Sequence, residues 1–154
     1  MTIDFQAFND SVLSFFETGL PIALAALEAE KEITLPRPEA YLEDIPDMQR
    51  GEAVVFWMIC NQYSFDDLSN ESRMMTATPD CFVTIRGVKN KSADDLKEIA
   101  KHYMTAIYSL VDQNPDMDGV ADFSVVTDMT RYDAAEGFET AKAIAFGLEI
   151  RLEV

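Results

Sequence analysis

Hydrophobic residues recur along this chain with two different periods, and the switch between them marks out its elements. Leu96, Ile99, Ala100, Tyr103, Ile107, Leu110 and Val111 follow at spacings of three and four, while Asp95, Lys97, Glu98, Lys101, His102 and Thr105 fill the opposite side. The spacing predicts an amphipathic helix over 92–114. Ser92 provides a hydroxyl at its start, and Asp94 and Asp95 put carboxylates where free N–H groups and the helix dipole favour them. A helix of about 20 residues is about 30 Å long, and its apolar side needs a sheet to lie on. Phe146, Leu148, Ile150, Leu152 and Val154 alternate with Gly147, Glu149, Arg151 and Glu153, which predicts a closing strand with one apolar face. Between the two, Asn114, Pro115 and Gly119 end the helix, 123–130 reads as a strand, and 133–137 as a turn.

The first part of the chain reads in the same way. Phe5, Phe8, Val12, Leu13, Phe15 and Phe16 give 3–17 the pattern of an amphipathic helix, which Gly19 and Pro21 are expected to interrupt. Pro21 suits the first turn of a second short helix over 22–31, ending near Glu32. Pro36 and Pro38 force extended backbone before them, so 39–44 is expected as an edge strand. After a turn at 48–52, the unbroken apolar run 53–60 predicts a central strand covered on both faces. The polar stretch 61–79 reads as a long hairpin or loop, 81–88 as a strand, and 87–91 as the turn into the central helix. The expected fold is α+β: a mixed, mainly antiparallel sheet of four to five strands against one long central helix, with an N-terminal helical segment at 3–32. Sheet and helix core together span 39–154.

Composition narrows the class. With 154 residues, 48% of them hydrophobic and 26% charged, the chain suits one domain that buries a core without staples. The run 54–60 is too short to cross a bilayer, and no basic segment followed by an apolar stretch opens the sequence, so a cytoplasmic product with no membrane partner is expected. Cys60 and Cys81 fall in apolar stretches on neighbouring strands and read as buried thiols. Twelve basic against 28 acidic residues give a net charge of −16, which repels nucleic acid within a Debye length of about 8 Å. General DNA binding is excluded.

Little points to catalysis, and no enzyme activity is expected. His102 is the only histidine and falls on the polar side of its helix; nothing nominates a partner for it. Dinucleotide, nucleotide-phosphate and zinc spacings are absent, so neither cofactor nor metal is expected. Asn114, Asp116, Asp118 and Gly119 imitate the opening of a calcium loop, but Val125 stands where the bidentate glutamate belongs. The acidic turn therefore reads as a helix terminator. Met74 and Met75, beside the polar stretch, are candidates for a subunit contact, because methionine adapts to irregular packing surfaces.

Two regions carry a resemblance. Phe15, Phe16, Glu17, Thr18, Gly19, Leu20 and Pro21, followed by Leu35, Pro36, Arg37, Pro38, Glu39, Ala40 and Tyr41, form an amphipathic helix, a Thr-Gly-Leu-Pro turn and a Pro-Arg-Pro lead-in to the first strand. The second region comprises the 92–114 helix with its Asn-Pro and Gly breaker, the 123–130 strand, Arg131 with Tyr132, and the closing alternating strand. Together they resemble phage neck or tail terminator proteins, also called tail completion proteins, over most of the chain. The 61–79 stretch is longer than that pattern requires. The resemblance implies a mixed sheet flanked by helices and a ring, usually of six copies, at the head-proximal end of the tail tube. It implies partners in the tube protein and in the head-tail connector or stopper protein, and a place in the virion after assembly in the host cytoplasm. DNA would pass through the lumen without specific binding. At −16 each, six copies carry −96 formal charges, and a carboxylate-lined wall keeps passing DNA from sticking; Asp66, Asp67 and Glu71 are the candidates for that lining. Two alternatives compete: a head-completion or connector protein of the same neck, and a non-viral acidic binding module.

Overall fold

The first helix, α1 (Phe5–Lys31), begins where the Asp4 carboxylate accepts the Ala7 N–H at 2.9 Å and ends where Glu32 takes a left-handed φ of 56°. A side-chain acceptor at the start satisfies one of the donors that a helix end leaves free. In the computed structural model, which describes residues 3–44, 46, 53–86, 88, 91–133 and 141–154, this is one helix, not the two pieces expected on either side of Gly19 and Pro21. Proline deletes a backbone hydrogen bond inside a helix and costs about 3 kcal/mol. Val12, Phe16, Leu20, Leu24 and Leu27, however, form one buried stripe that runs across it, and burying such side chains contributes roughly 1.5–3 kcal/mol each. Burial outweighs the break. Gly19 serves close approach: a Cβ there would lie 2.7 Å from Leu110 Cδ1 on the second helix.

A short edge strand and two long hairpins build the sheet. β1 (Ala40–Glu43) pairs in parallel with β2 (Val54–Ile59), which is antiparallel to β5 (Asp80–Arg86). Between these, β3 (Tyr63–Asp67) and β4 (Arg73–Ala77) pair antiparallel. β4 and β5 form one bent strand against the last strand, β7 (Ala141–Glu153), in unbroken register. Met74 faces Glu153, Ala77 faces Ile150, Asp80 faces Gly147 and Arg86 faces Ala141. At the bend the Leu148 N–H donates to the Pro79 carbonyl at 3.1 Å. β3 continues β2 in the same way, after a one-residue shift. β6 (Phe123–Asp133) pairs with the far side of β7. The seven strands form one sheet, mixed and mainly antiparallel as expected, in which β4 and β5, and β2 and β3, follow one another along the same path.

The polar stretch 61–79 is the outer half of the first hairpin, its tip closed by the Leu68 and Ser69 N–H groups donating to the Ser72 carbonyl at 3.0 and 3.2 Å. In the second hairpin a bulge at Thr127 faces Gly147, where a Cβ would lie 2.4 Å from Asp128 Oδ1. The extra residue is accommodated because its neighbour has no side chain. The turns expected at 48–52, 87–91 and 133–137 fall wholly or partly outside the described residues.

The second helix, α2 (Ala93–Gln113), starts at the expected cap. Ser92 Oγ accepts the Asp95 N–H at 3.2 Å and the Asp95 carboxylate accepts the Ser92 N–H at 3.0 Å, a reciprocal pair that satisfies two orphan donors. Those bonds hold the Asp95 carboxyl below its ordinary range. Past Asn114, Met117, Asp118 and Gly119 take φ values of 51°, 57° and 92°, turning the chain sharply towards β6.

Both helices lie on one side of the sheet. Phe16 of α1 stacks on Phe56 with ring centres 4.8 Å apart and meets Phe146 edge-on at 5.8 Å, while α2 covers β5, β6 and β7. The run 53–60 was expected to be covered on both faces. Val54, Phe56 and Met58 are fully buried on the helix side; on the other side Val55 is buried as well, and Trp57 and Ile59 are half-buried. The run is unbroken because the second face is itself apolar.

The crossover from α1 to β1 is clasped by Arg37. Its guanidinium reaches Glu28 at 2.5 Å and donates to the Leu35 carbonyl at 2.9 Å, and the Leu35 N–H donates to the other Glu28 oxygen at 2.7 Å. The guanidinium and the Leu35 N–H hold the Glu28 carboxyl below its ordinary range. The Tyr103 hydroxyl donates to the Pro36 carbonyl, tying α2 to the same crossover, and burial pushes its ionisation far above that of a free phenol.

Candidate interaction surfaces

The sheet face turned away from the helices carries two adjacent rows of uncharged side chains. Cross-strand pairing sets Leu42, Trp57, Phe82, Ala145 and Thr130 side by side across five strands, and beside them Ala40, Val55, Thr84, Ala143 and Tyr132. Trp57 and Phe82 are directly opposite and stack, with ring centres 4.1 Å apart and planes within 14°. Charge returns only outside these rows, at Arg86 on one side and at Asp80 and Asp128 on the other. Neither helix packs on this face. Tyr132 remains 56% exposed, Leu42, Trp57 and Phe82 are half-buried, and Val55 is buried.

A second surface, poor in charge, lies on the opposite side of the sheet, on the outer face of the helix layer. No charged residue occurs in 18–27 of α1 or in 103–111 of α2, in a chain that is 26% charged. Ile22 is 68% exposed, Tyr108 is 53% exposed, and Ala25, Ala26 and Ala29 are open to solvent. Where the helices run side by side, Gly19, Ala23, Ala26, Ala106 and Ser109, together with the acidic Glu30 and Asp118, line a shallow groove of about 400 Å³. By length and composition α1 passes as a membrane-crossing helix; its buried stripe is spent on the sheet, and the remaining apolar residues make this surface.

The residues singled out from the sequence gather at the hairpin end but do not form one site. Asp66, Asp67 and Glu71 are exposed there, with Asp67 paired to Arg73 at 2.8 Å across the hairpin. Asp67, Glu71, Phe65, Leu68, Ile3 and Val154 border an open, largely polar cleft of about 830 Å³. Met74 is half-buried on β4, and Met75 is fully buried in the core. Methionine in the middle of a paired strand, and not on a loop, leaves Met75 no free surface to offer.

The remaining candidates keep to themselves. His102 is half-buried, in a shallow depression lined by Ile33, Leu35 and Ile99 and by the charged Lys91, Asp95 and Glu98. Cys60 and Cys81 are buried free thiols, and burial pushes both upward in pKa. Asp116 turns its carboxylate onto the Asp118 N–H at 3.2 Å, bracing the turn after α2. Among the described residues no group of three or more His, Cys, Asp or Glu side chains is arranged to hold a metal ion. One part-buried polar cluster has a structural role: the Tyr63 hydroxyl donates to Asn9 Oδ1 at 2.7 Å, and Asn9 and Gln6 donate to Glu43 at 3.1 and 2.8 Å. It pins α1 to β1 and β3, and burial pushes Tyr63 up to about 12.

Sequence reading missed both surfaces. The charge gap at 18–27 was visible in the letters, but a row such as Leu42, Trp57, Phe82 and Ala145 exists only once strand order and register are set. No protein-family model matches the chain, and comparison with curated proteins finds no match.

Proposed function

We propose that this chain is a structural subunit of a tailed-phage neck: a tail terminator that forms a ring, caps the tail tube, stops its growth and joins it to the head connector. The observation that carries this reading is where the two resembling stretches sit. Gly19 of the Thr-Gly-Leu-Pro segment marks the close approach of α1 to Leu110 of α2. Arg37 of the Pro-Arg-Pro segment clasps Glu28, Pro36 accepts the Tyr103 hydroxyl, and Tyr41 packs on Phe56 with ring centres 5.5 Å apart. These residues lock helix layer, crossover and sheet together, although the Thr-Gly-Leu-Pro segment is helical here and not the turn that the resemblance implies.

Ring closure needs two different patches on each subunit, and the rows of uncharged side chains on the sheet and the charge-free segments 18–27 and 103–111 of the helices are two different candidates on a −16 chain. A ring of this charge passes DNA without holding it, because phosphate binding needs Lys and Arg. The test is tube assembly. Tail-tube protein polymerised with this chain is expected to give shorter tubes with one capped end in negative-stain images. Tubes of unchanged length, with no density at either end, would remove the proposal. The rival reading, an acidic binding module, has the polar cleft between the hairpin tip and the chain ends in its favour; it predicts a chain that stays monomeric with tube protein present.

A further inference from the structure

We infer that the free chain pairs with a second copy of itself, β6 against β6, through the open edge of the sheet. The contact uses neither face of the sheet, and it goes beyond the ring reading without resting on it.

β6 is the longest outer strand: it spans 11 residues, against four in β1 and five in β3 at the opposite margin. Among the described residues its one strand partner is β7. Alternate backbone N–H and C=O groups on its far side therefore point outward, a template for another strand. Proteins guard such edges with lysine, proline, a cover or a bulge. β6 has neither Lys nor Pro, and large side chains stand open along it: Phe123 is 45% exposed, Val125 38% and Tyr132 56%. Its one guard is the bulge at Thr127.

That bulge makes the strand complementary to itself. Phe123 and Val125 stand on the face turned away from the helices, across from Arg151 and Glu149. An extra residue shifts the alternation by one, so beyond it Thr130 and Tyr132 stand on that same face, across from Ala145 and Ala143. A second β6 turned antiparallel about the bulge then sets every residue against one from the same face. Phe123 meets Tyr132 and Val125 meets Thr130, each pair once on either side of the two-fold axis. On the helix side Val126 meets Met129, and Arg131 meets Ser124 and no like charge. Aromatic and β-branched cross-strand pairs of this kind stabilise a sheet. At the axis Thr127 of each copy meets Asp128 of the other, hydroxyl against carboxylate. The carboxylates just beyond the paired stretch are engaged within the chain, Asp133 with Lys142 at 3.3 Å and Asp122 with the Glu153 N–H at 2.7 Å. Without the shift, Phe123 and Tyr132 would lie on opposite faces. A patch that complements itself is what a two-fold dimer requires.

The helix layer adds to the contact. α2 lies over β5, β6 and β7, and it turns Ala106, Ser109 and Gln113 towards α1. At about 100° per residue, Tyr108 falls on the other flank, the one nearer the open edge, and it is 53% exposed. A strand edge with such a flank is a small interface, of about 1,200 Å² or less, and micromolar affinity is expected of it.

The register supplies the test. Val125→Lys/Thr130→Lys and Val125→Glu/Thr130→Glu each place like charges across the axis twice, and a mixture of the two places Lys against Glu twice. Both positions are exposed in the single chain, and circular dichroism of each variant is expected to match the wild type. By sedimentation the wild type is expected as a dimer, each variant as weakened about tenfold, and the mixture as a dimer again. As a measurement that needs no added charge, Phe123→Cys/Tyr132→Cys treated with diamide is expected to give a disulfide-linked dimer, and neither single variant to do so. Within one extended strand the two positions are about 30 Å apart, so the bond forms only between copies.

A monomeric wild type overturns the pair, as do variants that associate like the wild type, a mixture that stays monomeric, or single-cysteine variants that link as readily as the double. Tube capping is read separately. A closed ring that forms equally from the wild type and both variants overturns the pair and leaves the ring reading standing. A dimer lost in each variant and regained on mixing upholds the pair even where tubes are left uncapped.

Discussion

Arg37 and Glu28 show how single side chains fix the layout of this molecule. The pair ties the end of α1 to the extended crossover at 2.5 Å, and the Leu35 N–H completes the carboxylate's bonding. Glu28 titrates below its ordinary range, so it contributes stability at pH values above its unfolded pKa of about 4.3, and that contribution is lost as pH falls through the lowered folded value. Acid also relieves the mutual repulsion of 28 carboxylates, and the two effects oppose each other. Urea unfolding of the wild type and Glu28→Gln between pH 7 and pH 3 separates them: the wild type is expected to be more stable at neutral pH, with the gap narrowing as the carboxylate protonates. A gap that stays constant down to pH 3 would mean that the clasp acts without its charge.

At the scale of elements, α1 holds the structure together through one face and presents the other. Phe16 is fully buried, stacked on Phe56 and edge-on to Phe146, with Val12 and Leu20 buried on either side. Phe16→Ala removes a ring from a packed core and is expected to cost about 3–5 kcal/mol in urea unfolding. Deleting 1–17 removes the same packing, so loss of assembly in that truncation would follow from loss of fold and would not locate a contact. The element pattern was legible wherever one side chain decided it. Ser92 and Asp95 capped the second helix as read, and the alternation at 146–154 marked the last strand, because capping and periodicity act within a few residues. Pro21 misled because a local penalty of about 3 kcal/mol lost to a stripe of buried side chains beyond it. The stretch 61–79 read as polar hairpin or loop because its strand pairs with partners distant in sequence, among them Met74 with Glu153.

For the whole molecule, charge and apolar surface act against each other. At −16 per chain, association of copies costs repulsion that salt screens, while burial of apolar faces is little affected by salt at these levels. Assembly is therefore expected to tighten as ionic strength rises from about 0.01 M to about 0.15 M, where the Debye length falls from about 30 Å to about 8 Å. Sedimentation across that range checks it; assembly that weakens with salt would point to contacts made by opposite charges. Asp66, Asp67 and Glu71 are exposed together at the hairpin end, where their carboxylates stay in water.

By itself the amino-acid sequence determined the start of α2 at Ser92, the end of α1 near Glu32, the two periodicities, the acidic balance and the absence of familiar catalytic spacings, for each of these is set by residues close together in the chain. Tertiary structure alone decided that α1 runs unbroken through Pro21, that Met75 is core, and that Leu42, Trp57, Phe82 and Ala145 stand in one row. Those outcomes depend on register between strands remote in sequence, and a shift of one residue would have turned each of those side chains to the opposite face.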